Sequence, residues 1–179
     1  MEIHSIKDLN DSYVISLLEQ GLSKVEEPTL KENYHPANKN NNANLFYLLD
    51  NKRFAVGNYY VMETDDGEYA GSAGWNKYTD DTALVFVRAY IPKKYRVQYL
   101  MAKNLMPKIL EETSKFNRLW ITCNEYNKAI YKGLIQLSNN KPAGLSSPWP
   151  EQYACFKPVG IKTVNYVDQY IAEYKRSAI

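Results

Sequence analysis

Histidine and cysteine are scarce. The 179-residue chain has two of each: His4, His35, Cys123 and Cys155. Both cysteines sit inside apolar, strand-like runs, which makes no disulfide framework and predicts buried, reduced thiols in a cytoplasmic protein. Neither histidine has ligand-type neighbours at metal spacing along the sequence, so no metal site is expected. Long apolar runs are missing too: nothing approaches the ~20 residues of a membrane-crossing helix. The N-terminus MEIHSIKDLN has neither the basic nor the apolar region of a signal peptide. An excess of one charge is also lacking. The net charge is +2, which argues against nucleic acid as a partner, because duplex binders carry a strongly basic face. Sixteen tyrosines have no basic patch around them for stacking on bases, and read instead as amphipathic filler of the core and its rim.

What is present suits one domain with a sizeable core. SIKDLNDSYVISLLEQGLSK opens on a Ser cap candidate and carries Val14, Leu17, Leu18 and Leu22 at helical spacing, predicting a helix over 6–20 that ends near Gly21. A long polar, asparagine-rich loop follows. FAVGNYYVMET and EYAGSAGWNKY flank Asp65-Asp66-Gly67, a hairpin signal. TALVFVRAYI is the most apolar strand candidate and does not alternate, so it is expected at the centre of a sheet, covered on both faces. Val97, Met101, Leu105 and Ile109 then mark a helix, with Pro107 as a kink. RLWITCN reads as a strand, NKAIYKGLIQLS as a short helix, QYACFKPVG and KTVNYV as closing strands, and VDQYIAEYKR as a tail with helical character.

The stretch YIPKKYRVQYLMAKNLMPKIL joins the apolar strand to the helix through Pro92, Lys93, Lys94 and Arg96. A helix N-terminus offers free N–H groups and the positive end of a dipole. A strand end opening onto such a turn is where open α/β sheets bind ligands. The competing reading is a solvated basic turn.

The order of hairpin, central strand, basic turn, long helix, strand and then Asn with a Tyr-bearing helix resembles the GNAT family of acyl-CoA-dependent N-acyltransferases, most clearly over 60–134. DDGEYAGSAGW, VRAYIPKKYR and LWITCNEYNKAIYKGL carry the resemblance. It implies a mixed, mostly antiparallel α/β sheet of six or seven strands with helices on both faces. It also implies acetyl-CoA as acyl donor and a small-molecule or peptide amine as acceptor. Backbone groups of Ala89, Tyr90 and Ile91 would polarise the thioester carbonyl. The pyrophosphate loop would be Arg96-Val97-Gln98-Tyr99-Leu100-Met101, in which Tyr99 and Met101 stand where the family has glycine and glycine or alanine. Two registers place the motif asparagine. Asn124 puts Tyr131 at the position of the general acid and is favoured; Asn127 puts Leu134 there and leaves no acid. Glu63 is the candidate base, with Glu68 as the alternative; both also read as solvated ends of the hairpin. Asp80 and Asp81 read as turn residues. By the same resemblance the asparagine-rich 33–44 and KPAGLSSPWPEQ border the acceptor site. A homodimer is left open. The alternative function is a non-catalytic module of this fold that has lost its cofactor along with the glycines.

Overall fold

The computed structural model describes residues 1–5, 12–23, 56–96, 100–123, 156–164 and 167–176. They form one seven-stranded sheet in the order β1-β2-β3-β4-β5-β7-β6. The strands are β1 (Glu2–Ser5), β2 (Gly57–Glu63), β3 (Tyr69–Lys77), β4 (Thr82–Tyr90), β5 (Arg118–Cys123), β6 (Lys157–Val164) and β7 (Val167–Lys175). Every neighbouring pair is antiparallel except β4 and β5. The expected mixed, mostly antiparallel sheet is the one found.

All seven residues of β2 are buried, the pattern of a strand covered on both faces. Helix α1 (Ser12–Ser23) lies on one face and touches β2 and β3, burying Val14, Leu17 and Leu18. On the other face Tyr60 and Met62 share a core with Leu105, Met106, Ile109 and Leu110. Leu105 belongs to a π-helical turn (Met101–Leu105) and the other three to α3 (Met106–Glu112), which follow a short helix α2 (Lys93–Arg96). The kink expected at Pro107 takes this form. Proline has no N–H for the helical ladder, and the turn before it widens so that the N–H of Met106 reaches back to the carbonyl of Met101.

Tyrosine is core material here. Tyr59, Tyr60, Tyr69 and Tyr90 are buried, and the hydroxyls of the first three find partners inside. Tyr59 and Tyr69 hydroxyls meet the Ser72 hydroxyl at 2.8 and 2.5 Å, and Asn58 donates to the Tyr60 hydroxyl at 2.9 Å.

Four expectations are corrected. Ser5 does not cap a helix: it ends β1, and its hydroxyl donates to Asn58 Oδ1 at 2.8 Å, so α1 starts later. Gly21 does not end α1, which runs to Ser23. A Cβ there would stand 2.4 Å from the Tyr69 ring, so this glycine is where helix and sheet approach each other. The tail VDQYIAEYK is strand β7, paired with β5 on one side and β6 on the other. The two closing strands predicted before it are largely one, β6, an edge strand whose run includes Pro158 and a Gly160 at φ +91°. Proline, a glycine irregularity and the flanking Lys157 and Lys162 are features that discourage edge-to-edge pairing. The short helix predicted from NKAIYKGLIQLS lies outside the described residues, as do the asparagine-rich loop and KPAGLSSPWPEQ. No helix among the described residues is long and apolar enough to cross a membrane.

Candidate active site at the opening between β4 and β5

The parallel pairing of β4 with β5 is brief. Thr82, Ala83 and Leu84 face Arg118, Leu119 and Trp120, and beyond them the two strands do not pair. Each continues on its outer side: β4 follows β3 as far as Tyr90 opposite Ser72, and β5 follows β7 as far as Cys123 opposite Tyr170. The sheet therefore opens between its two central strands, toward the C-terminal end of β4. Burial follows the split: Thr82 to Val85 are buried, while Phe86, Val87 and Ala89 are half-buried. The expectation of a central, doubly covered strand thus holds for the first half of β4 only.

A β-bulge turns the strand at this point. Trp75 faces Val85 and Gly74 faces Val87, so Phe86 is the extra residue, with φ +56°. A non-glycine residue in this region costs on the order of 1–3 kcal/mol and persists only where its surroundings impose it. Bulges re-aim a strand and are over-represented beside active sites.

The residues singled out from the sequence fall as follows. Ala89 and Ile91 are half-buried and pack against the core on the α3 side. Tyr90 is buried and stacks on Tyr69, with ring centroids 6.3 Å apart and planes 19° apart. Arg96 is exposed and donates through Nε to the Ile91 carbonyl at 2.9 Å, which ties α2 back to the end of β4. Lys94 pairs with Glu68, and the Tyr95 hydroxyl donates to the same carboxylate at 2.6 Å. Lys93 is exposed. Met101 is half-buried and packs against the core. Val97, Gln98, Tyr99, Asn124, Asn127 and Tyr131 lie outside the described residues.

Glu63 is not at the opening. It ends β2, two strands from β4, and is buried. His4 Nε2 lies 2.6 Å from its Oε2, and the Tyr13 hydroxyl donates to its Oε1. The Tyr13 hydroxyl, and after it His4, hold the Glu63 carboxyl below the usual glutamate range against the opposing effect of burial. A carboxylate with two donors on it is a weak base. Nothing local in the sequence announces these partners: β1 is four residues long, and Tyr13 is read as one more residue of an amphipathic helix. Cys123 is buried at the end of β5, and burial pushes its thiol up to about 12, so it stays protonated and is no nucleophile.

No family model matches the chain, and no curated protein does. Solved structures do. A ribosomal L7/L12 alpha-N-protein acetyltransferase in complex with coenzyme A superposes with a TM-score of 0.59 at 14% identity, over 94% of this chain and 92% of that one. A putative acetyltransferase from Acinetobacter baylyi gives 0.55 at 13% identity, over 97% and 93%. A spermidine N-acetyltransferase from Vibrio cholerae gives 0.51 at 10% identity, over 98% and 95%. Another of these structures, from Staphylococcus aureus, is an acetyltransferase of the GNAT family, at a TM-score of 0.51 and 10% identity over 98% of this chain and all of that one. At such identities the likeness is one of fold.

Proposed function

Starting from a chain that has the GNAT fold, we propose that it is an acyl-CoA-dependent N-acyltransferase that moves an acetyl group from acetyl-CoA directly to an amine. The observation that carries this reading is the opening between β4 and β5. Two central strands part after three paired residues, and a bulge at Phe86 turns one of them. An extended ligand with its own amide groups can lie along a strand edge and exchange main-chain hydrogen bonds with it, and the pantetheine arm of coenzyme A is such a ligand. The basic start of α2, with Lys93, Lys94 and Arg96, stands at the end of the same strand, where an anionic end would arrive.

The donor supplies an acyl group on sulfur, already a fair leaving group. The chain's part is to hold and orient it. In this reading backbone groups of Ala89 to Ile91 face the acyl carbonyl, and Arg96 with the 97–99 segment holds the phosphates. In the register that sets Asn124 along the arm, Tyr131 gives its proton to the departing sulfur as the C–S bond breaks, and the proton shed by the attacking amine restores it. Glu63 is not given the base's part, because its carboxylate is already held by His4 and Tyr13. The acceptor is a small-molecule or peptide amine. The acceptors of two structural neighbours, spermidine and the α-amino group of a ribosomal protein, are of this class.

A second reading, a module of the same fold without acyl transfer, draws on the Lys94–Glu68 pair, which already occupies one of the three cations. Thermal unfolding with acetyl-CoA and with dephosphorylated pantetheine as comparison separates the two. A ligand present at 100 times its Kd and bound only to the folded chain adds about 2.7 kcal/mol, roughly 5–11 °C for a domain of this size. The proposal expects that shift with acetyl-CoA and a smaller one in Arg96→Ala. No shift at millimolar acetyl-CoA leaves the second reading.

A further inference from the structure

Strand β1 brings its histidine to two carboxylates that the sequence keeps far apart. In the β1–β2 ladder Glu2 faces Glu63 directly, and His4 faces Val61. Glu2 and His4, two residues apart, share one face of β1. A nitrogen of His4 and one oxygen from each glutamate all lie within 4.8 Å of one another. Two carboxylates directly opposite on adjacent strands repel, and Glu63, being buried, has little water to offset its charge. Such a pair persists where a positive charge lies between or beside its members. The surroundings hold the imidazole in place: the Tyr13 ring meets that of His4 edge to face, with centroids 6.0 Å apart and planes at 72°, while the Tyr13 hydroxyl anchors the second oxygen of Glu63.

One imidazole nitrogen and two carboxylate oxygens are a donor set for zinc and its divalent neighbours. They are not the all-oxygen set of calcium or magnesium, nor the sulfur set of copper(I). Bonds of about 2.0–2.2 Å to such an ion set neighbouring donors roughly 3–3.4 Å apart. His4 Nε2 and the nearer Glu63 oxygen, now 2.6 Å apart across a hydrogen bond, would part slightly and give up the shared proton, and the exposed Glu2 would swing inward. We propose that Glu2, His4 and Glu63 form a site for a divalent transition cation of the zinc class on the α1 face of the β1–β2 edge, with the remaining coordination positions open to water. A bound ion there would pin the N-terminal strand to the sheet, and this holds whether or not the chain transfers acyl groups.

The test is a calorimetric titration of zinc chloride into the chelator-washed full chain carrying no N-terminal tag, with cobalt(II) chloride in parallel as a spectroscopic probe. The expected result is one ion per chain, a visible cobalt band of the kind nitrogen and oxygen ligation gives, and a rise in the unfolding temperature. Glu2→Gln and His4→Ala should each weaken binding by more than about 100-fold, the upper end of what even outer-shell partners cost. Glu2 is exposed, so its variant keeps the fold should His4→Ala unfold. No binding at millimolar zinc, or binding undiminished in Glu2→Gln, overturns the proposal; the first leaves His4 and Glu63 as a hydrogen-bonded pair only, and the second puts the ion elsewhere.

Discussion

Gly74→Ala is expected to lower stability by about 3 kcal/mol, the upper end of what overpacking costs, which is roughly 6–12 °C in the unfolding midpoint of a domain of this size. Gly74 faces Tyr59 across the β2–β3 ladder. A Cβ there would stand 2.5 Å from the Tyr59 ring and 2.7 Å from the Asn58 carbonyl. Neither can give way cheaply. The ring is fully buried and its hydroxyl is held by Ser72. The carbonyl belongs to β2, which is paired with β3 at this point. On the β4 side Gly74 faces Val87, just past the bulge at Phe86. The same substitution therefore disturbs the point where the sheet opens. Differential scanning calorimetry of the two proteins checks the magnitude. A loss below about 0.5 kcal/mol, the range of surface substitutions, would mean that β2 and β3 do not approach this closely.

Arg176→Met is expected to cost about 2–4 kcal/mol, because hydrogen bonds to a charged group contribute roughly 1.5–3 kcal/mol and buried acceptors left unpaired cost more than bonds never made. Its guanidinium follows β7 and reaches back to the end of α3. It donates to the Phe116 carbonyl at 2.8 Å, to the Leu110 carbonyl at 2.9 Å and to that of Thr113. The last carbonyls of a helix have no partner within it, and a cation beside them also meets the negative end of the dipole. The Thr113 hydroxyl serves the Ile109 carbonyl at 2.7 Å, so residue and cation divide the helix end between them. Arg176→Lys should recover only part of the loss, since one ammonium cannot reproduce a planar fork across three acceptors. Denaturant unfolding of the three proteins reads this directly, and equal stability of Lys and Met variants with the parent would contradict it.

The elements most legible in the sequence are those whose local signal agrees with their final place. The hairpin through Asp65-Asp66-Gly67 needs a positive φ, and Gly67 has one, at +78°. β4 and β5 are short apolar runs between turn residues. β7 misleads for a physical reason: Val167, Tyr170, Ile171 and Tyr174 recur at helical spacing, and only pairing with β5 and β6 selects the strand. β1 has four residues and no pattern to read; it exists because β2 offers it an edge. The site divides in the same way. The passage from strand through Pro92 to the basic turn is readable, because proline and charge are local. The parting of β4 from β5, the bulge at Phe86, and the meeting of His4, Glu2 and Glu63 are products of pairing between distant segments, which no spacing along the chain records.

Hydrogen exchange read residue by residue, with and without acetyl-CoA, tests the central claim most directly. An arm lying in the opening must pair with the inner edges of the two strands. Amides from Val87 to Ile91, at the end of β4 and just past it, together with those near the end of β5, should therefore slow on binding, while the β1–β2 and β6–β7 ladders keep their rates. Unchanged exchange along β4 at saturating acetyl-CoA, or protection confined to another part of the sheet, would contradict the claim that the opening is the acyl-donor site.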